Sequence, residues 1–242
     1  MLCFTMSGAL RAQTFTVADA DAIFDAHTKA FYRAKDGLGW HLKDTEKGRK
    51  ADFWTRAEQM EMVLDVYERT KKAEHMEMFT HLFRGSLADH GKTWAKNEFN
   101  DDIMWMVIAC ARADLLSHNV EFLDVARANF DLCYARAASP KLGGGFWWKT
   151  ENRSKNACVN GPGATAAFLL GTATKDEGRR SFSLGNAPQL FDPATGRVFG
   201  NINLNGRVAR FALTYNQGTF VGAANLLDYT DDARLAATYT MN

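Results

Sequence analysis

Asn100-Asp101-Asp102 stands directly before the most apolar run of the chain, Ile103-Met-Trp-Met-Val-Ile-Ala-Cys110. An asparagine here is expected to cap a helix by accepting a hydrogen bond from a backbone N–H two or three residues on. The two aspartates then fall in the first turn, where the positive end of the helix dipole favours negative charge. Two carboxyl groups against an apolar wall are the arrangement that cleaves glycosidic bonds, one group ionised and the other kept protonated. The plainer reading is that aspartate is simply favoured at helix starts. Residues elsewhere in the chain must decide between the two.

Two further segments carry polar and aromatic groups suited to binding. Leu142-Gly-Gly-Gly-Phe-Trp-Trp-Lys149 cannot be helical, because three consecutive glycines lose too much backbone entropy. It is expected to be an exposed loop or short hairpin presenting aromatics, with packing and stacking on a sugar face equally open to Trp147 and Trp148. Lys155, Asn156 and Asn160 follow, the lysine most simply a surface residue and the asparagines helix caps or hydrogen-bond donors. Thr214-Tyr-Asn-Gln-Gly218 places Tyr215, Asn216 and Gln217 at the start of a helix, as a second polar wall or as caps. Trp105, one turn after the aspartates, is read as a core residue more readily than as a platform.

The elements that must position these groups are helical. Only four prolines occur, and apolar residues recur with a 3.6-residue period. Ile23, His27, Ala30, Phe31 and Ala34 mark a first helix. Phe53, Ala57, Met60, Leu64 and Tyr67 mark a second, and Met76, Phe79, Phe83 and Leu87 a third. The helix after Asp102 is apolar nearly all round, which predicts burial on several sides. Phe122, Val125, Ala126, Phe130 and Cys133 then mark a one-sided helix. Ala164 to Leu170 form a helix of small residues, and Thr214 to Leu227 the last clear one. Thr172 to Gln189 shows no periodicity and is read as weakly structured. Such alternation of strongly and partly buried helices implies inner helices lining a core and outer helices covering them.

Composition narrows the classes. With 29 basic and 28 acidic side chains the net charge is +1, and no basic block suggests a nucleic-acid partner. No apolar run reaches the length of a transmembrane segment. The four cysteines lack the spacing of a metal site, and Cys110 and Cys133 read as small core residues. Residues 1–18 read as an N-terminal extension, at most the remnant of a signal peptide, since no basic stretch precedes the apolar start. Residues 19–242 read as one domain.

The three motifs, in this order, resemble glycoside hydrolase family 76, the endo-acting α-1,6-mannanases and their relatives. The resemblance spans about residues 20 to 230 and implies an all-α fold, an (α/α)6-type toroid of helical hairpins with a cleft at one end. It implies a retaining hydrolase of α-mannan or mannose-containing oligosaccharides, with no cofactor and no metal. Asp101 would be the nucleophile and Asp102 the acid/base, with carboxyl groups ~5–5.5 Å apart. Asn100, Trp147, Trp148, Lys155, Asn156, Asn160, Tyr215, Asn216 and Gln217 would bind substrate. An extracellular or periplasmic location is also implied. The chain departs from the family pattern in ending at Asn242 soon after the last motif, so a toroid incomplete at its C-terminus is expected. It departs again in residues 172–189 and in Gly200, where an acidic residue is expected. These departures motivate a non-catalytic, carbohydrate-binding remnant as an alternative, and a mannan transglycosylase shares the same expected intermediate.

Overall fold

The computed structural model describes residues 15–176 and 188–241, and these form eight α-helices with short strands between them. The helices are α1 (Val17–Phe31), α2 (Phe53–Thr70), α3 (Ala73–His90), α4 (Asn100–Ser117), α5 (Val120–Ala137), α6 (Ala157–Thr174), α7 (Thr214–Leu226) and α8 (Thr230–Met241). The all-α toroid architecture read from the sequence is what the chain adopts. Helices α2, α4, α6 and α7 pack side by side as the inner layer, while α3, α5 and α8 return along the outside.

The connections show how the layers are made. Each of α2, α4 and α7 reaches its outer partner through only two or three residues. The turns contain Lys71, His118 and Asp228 in the left-handed region, which lets the chain reverse at a helix C-terminus. The connections at the other end are long: residues 32–52, 91–99 and 138–156. Short turns therefore close one end of the ring, and long loops gather at the end where the inner helices begin. Loops that carry function are positioned in this way by a rigid scaffold.

Burial follows the period of each sequence. In α4, Ile103, Met104, Met106, Val107, Ala109, Cys110, Ala111 and Ala113 are all excluded from solvent, and only Trp105 and Arg112 of its middle turns are partly exposed. Helix α6 is built from Gly161, Gly163, Ala164, Ala166 and Ala167, small residues that let α4 and α7 approach on either side. Cys110 and Cys133 are core residues, as their spacing implies.

Several elements differ from expectation. The first helix stops at Phe31, and Ala34 lies in a hairpin of β1 (Tyr32–Lys35) and β2 (Leu38–His41), while Ile23 faces water. A capping box of Thr16 and Asp19 starts α1 inside the segment read as an extension. Helix α6 runs on through Thr174, so residues 172–174 are helical; 177–187 lie outside the described residues. A last helix, α8, follows the one read as final. Strand β3 (Ser154–Asn156) pairs with β6 (Asn201–Asn203), which pairs with β7 (Val208–Ala209), and β4 (Phe191–Asp192) pairs with β5 (Arg197–Val198). At Gly200 the Phe211 ring occupies the place of a Cβ, 2.1 Å away, so an acidic side chain there would displace the ring.

Gly85 in α3 rests on the backbone of Gly39 in β2, with the Gly39 carbonyl oxygen 1.9 Å from where a Cβ would sit. Backbone cannot swing aside as a side chain does, so Gly85→Ala is expected to cost about 2–3 kcal/mol. Urea unfolding of the two proteins checks this. An unchanged midpoint would mean that hairpin and helix are not in this contact.

Candidate active site

All four inner helices begin at the long-loop end. Asp52 precedes α2, Asp101 and Asp102 open α4, Cys158 lies in the first turn of α6, and Tyr215 in that of α7. Asp52 is close enough to act electrostatically on Asp102, and Cys158 stands between Asp101 and Tyr215. Four positive helix ends therefore converge on the two aspartates.

Asn100 does not cap α4. Phe99 occupies the cap position and Asn100 is the first helical residue, with its side chain wholly buried. Its Nδ2 donates to the Trp147 carbonyl at 2.8 Å, and its Oδ1 accepts from Arg136 Nε at 2.7 Å. The Asn100 backbone N–H donates to the Trp148 carbonyl at 2.9 Å. Both ends of the amide are thus used inside the protein, so Asn100 braces the site from behind. Arg136 continues the brace by donating to the carbonyls of Ala95 and Asn97.

The aspartates differ in their surroundings. Asp101 Oδ2 accepts from the Trp148 indole N–H at 3.0 Å. Burial raises the Asp101 pKa, and the Cys158 thiol, the Trp148 indole and the backbone N–H groups of the helix start oppose it. Asp102 accepts only from Asn97 Nδ2, at 3.2 Å. Its pKa is pushed up to about 6, chiefly by burial, with the Asn97 hydrogen bond opposing and the charges of Asp101 and Asp52 adding to the rise. Asp101 has more hydrogen-bond donors opposing its burial than Asp102 has, so it ionises first and Asp102 holds its proton longer.

The aromatic loop is only partly as expected. Gly143, Gly144 and Gly145 all have positive φ, so the segment is a loop. Phe146 and Trp147, however, point into the core, with Trp147 only 5% exposed. Trp148 alone is half-buried at the cleft. Asn160 holds this loop through the Phe146 N–H and carbonyl, and also bonds the Asn156 carbonyl. Asn156 sits at the cap position of α6 without a side-chain cap, its Oδ1 taken by Ser154. Lys155 is not a surface residue: it is wholly buried, and its ammonium donates to four backbone carbonyls. Burial brings its pKa down to about 8.

At α7 the three residues part company. Tyr215 is 51% exposed beside Cys158, its pKa pushed up to about 12 by burial of the phenol and the neighbouring Cys158 and Asp101. Asn216 is buried and lines a cavity of about 20 Å³, too small for a sugar. Gln217 is buried too, bonded to the Val198 N–H and to the carbonyls of Gly196 and Ala236, which joins α7 to β5 and α8. Asp101, Asp102, Trp148 and Tyr215 are thus brought together, while Asn100, Trp147, Lys155, Asn160 and Gln217 hold the walls.

Three cleft-end residues escaped the sequence reading. Asn97 and Cys158 act on the aspartates only through the fold. Trp54, 49% exposed in the first turn of α2, lies off the apolar stripe of Phe53, Ala57, Met60 and Leu64, a departure visible in the sequence. Among the described residues no cluster of histidine, cysteine or carboxylate could hold a metal ion, and no helix is long and apolar enough to cross a membrane.

The model of glycosyl hydrolase family 76 matches residues 16–239. The chain belongs to that family. The α-1,6-mannanase of this family from Salegentibacter sp. HEL1_6 is 30% identical, with a TM-score of 0.81 over 92% of this chain and 69% of that one. An inactive variant of the same mannanase, with two consecutive aspartates replaced by asparagine and α-1,6-mannotriose bound, superposes with a TM-score of 0.83 at 29% identity, over the same shares of each chain. A family 76 mannosidase from Bacteroides thetaiotaomicron shares the fold at 17% identity, with a TM-score of 0.77 over 91% of this chain and 70% of that one. None of the curated proteins compared with the chain matches it.

The raised Asp102 pKa has a consequence for stability. Its value in the fold, about 6, exceeds the ordinary 3.8, so the folded state binds the proton more tightly than the unfolded one. The cost of holding the ionised group is absent below the ordinary value, grows between the two, and is complete above pH 6. Asp102→Asn is therefore expected to stabilise the protein at pH 8 by about 1–2 kcal/mol, after allowance for solvent screening, and to change little at pH 3.5. Thermal melts at the two pH values check it. Equal effects at both would rule out the raised pKa.

Proposed function

We propose that this family 76 glycoside hydrolase is a retaining, endo-acting enzyme that cleaves α-1,6-mannosidic linkages in mannan. Asp101 is the nucleophile: its carboxylate attacks the anomeric carbon as the glycosidic bond breaks. Asp102 gives its proton to the departing oxygen, then takes one from the water that releases the glycosyl-enzyme intermediate. The observation that carries this reading is the unequal treatment of the pair. The indole hydrogen bond from Trp148 favours the ionised form of Asp101, whereas burial keeps Asp102 protonated up to about pH 6. The inactive relative with both of its consecutive aspartates replaced supports the pair as the catalytic groups, and its bound mannotriose supports the substrate class.

Trp148 and Tyr215 both stand beside Asp101 and would supply an aromatic face and a hydroxyl for the sugar. No residue of the cleft needs a metal for this chemistry, because the carboxyl pair supplies both the nucleophile and the proton.

Purified protein is expected to release oligosaccharides from α-1,6-mannan, with the α-anomer appearing first in proton NMR. Asp101→Asn is expected to lower the rate by on the order of 10⁴. The alkaline limb of kcat/KM is expected near pH 6, where Asp102 loses its proton. Initial release of the β-anomer would exclude a glycosyl-enzyme at Asp101. Equal and negligible product from wild type and Asp101→Asn would exclude catalysis.

A further inference from the structure

The geometry points to Lys155 as the positioning residue of the nucleophile, holding the 139–145 loop in an ammonium–carbonyl cage so that Trp148 meets Asp101. This rests on Asp101 being the nucleophile. Lys155 Nζ donates to the carbonyl oxygens of Ser139 at 2.6 Å, Lys141 at 2.7 Å, Gly144 at 2.6 Å and Gly145 at 3.2 Å. The Trp147 ring covers the same ammonium, 4.9 Å from its centroid. Among the described residues no carboxylate pairs with it. Four converging carbonyl dipoles without an anion are the environment that a monovalent cation demands. Here the cation is covalently attached to the strand beside the cleft.

That strand grips the loop at both ends. The carbonyl of Ser154, the residue before Lys155, accepts from the Trp148 N–H at 2.9 Å. Lys155 itself gathers the carbonyls at the far end of the loop. Between these grips the chain has only Phe146 and Trp147, held by Asn160 and by the Ala137 and Asn100 contacts. Gly143, Gly144 and Gly145 have no preferred conformation of their own, since all three sit at positive φ without side chains. The ammonium therefore selects one loop shape, and that shape fixes where the Trp148 indole points. Without the charge the Ser139 and Gly144 carbonyls would lose their donor, the Lys141 and Gly145 carbonyls would keep only the Gly144 and Ser139 N–H groups, and the loop would rearrange to reach water.

Two variants and two readouts test this. Lys155→Met keeps the apolar stem and removes the charge. It is expected to fold, to lose about 100-fold in kcat through misplacement of the reacting groups, and to change KM little. In the same variant the Trp148 indole N–H resonance, assigned with Trp148→Phe, is expected to move to the position of a solvent-exposed indole. Lys155→Ala leaves a space the length of propylammonium. Added propylammonium is expected to restore kcat saturably and return the indole resonance, while 1-propanol does neither.

A Lys155→Met protein with wild-type kcat and an unmoved Trp148 indole would overturn the proposal and leave the mannanase reading intact. Should wild type lack mannanase activity, the indole resonance and its recovery with propylammonium still decide whether the cage positions Trp148. If neither variant folds, the wild-type Lys155 ammonium protons decide: slow exchange with water supports the cage, and exchange as fast as that of surface lysines overturns it.

Discussion

One buried amide ties the cleft together. Asn100 is the first residue of the inner helix α4, and its side chain joins the Trp147 carbonyl to the Arg136 guanidinium. Through the Trp147 carbonyl it fixes the loop segment that delivers the Trp148 indole to Asp101. Through Arg136 it fixes the 95–97 segment that delivers Asn97 to Asp102. Removing such an amide would leave the Arg136 Nε–H without its acceptor and the Trp147 carbonyl without its donor, at a cost of about 1–3 kcal/mol for a buried group left unpaired. The pair of aspartates can be treated unequally only because this node holds two different hydrogen-bond donors in place.

The surrounding architecture makes that inequality affordable. Inner helices that all begin at one end direct four sets of backbone N–H groups towards the cleft, and their short turns sit at the opposite end. Carboxylates are tolerated there although the turns from Ile103 to Ala111 that follow them carry only apolar residues. The cost falls on Asp102, whose carboxyl keeps only one donor, from Asn97, and whose proton affinity rises accordingly. A catalytic acid needs that strained solvation, which stability alone would not select. The same trade recurs at Lys155, a buried charge kept by four carbonyls in exchange for a defined loop.

Much of the fold was legible in local pattern. The period of Phe53, Ala57, Met60 and Leu64 marks α2, and the apolar run after Asp102 marks an inner helix. The aspartate pair and Trp148 were legible as well, because their chemistry is carried by residue type. What escaped was set by contacts between distant segments. Nothing near Lys155 in the sequence indicates that the carbonyls of residues 139–145 surround it, so a lysine between polar neighbours read as exposed. Phe146 and Trp147 follow three glycines, yet the core of α5 and α6 takes them in. Asn100 has the residue type of a cap, but a partner 36 residues away on α5 claims its oxygen. The β1–β2 hairpin escaped because Ala34 continued a helical period that the chain abandons after Phe31.

The ordering of the two carboxyl groups is most directly measured by their titration, with ¹³C-labelled aspartate and carbonyl-detected NMR assigned by Asp101→Asn and Asp102→Asn. The Asp102 carboxyl is expected to ionise near pH 6 and the Asp101 carboxyl at lower pH. A spectrum in which Asp101 keeps its proton to higher pH than Asp102, or in which both ionise together at the ordinary aspartate value, would contradict this ordering.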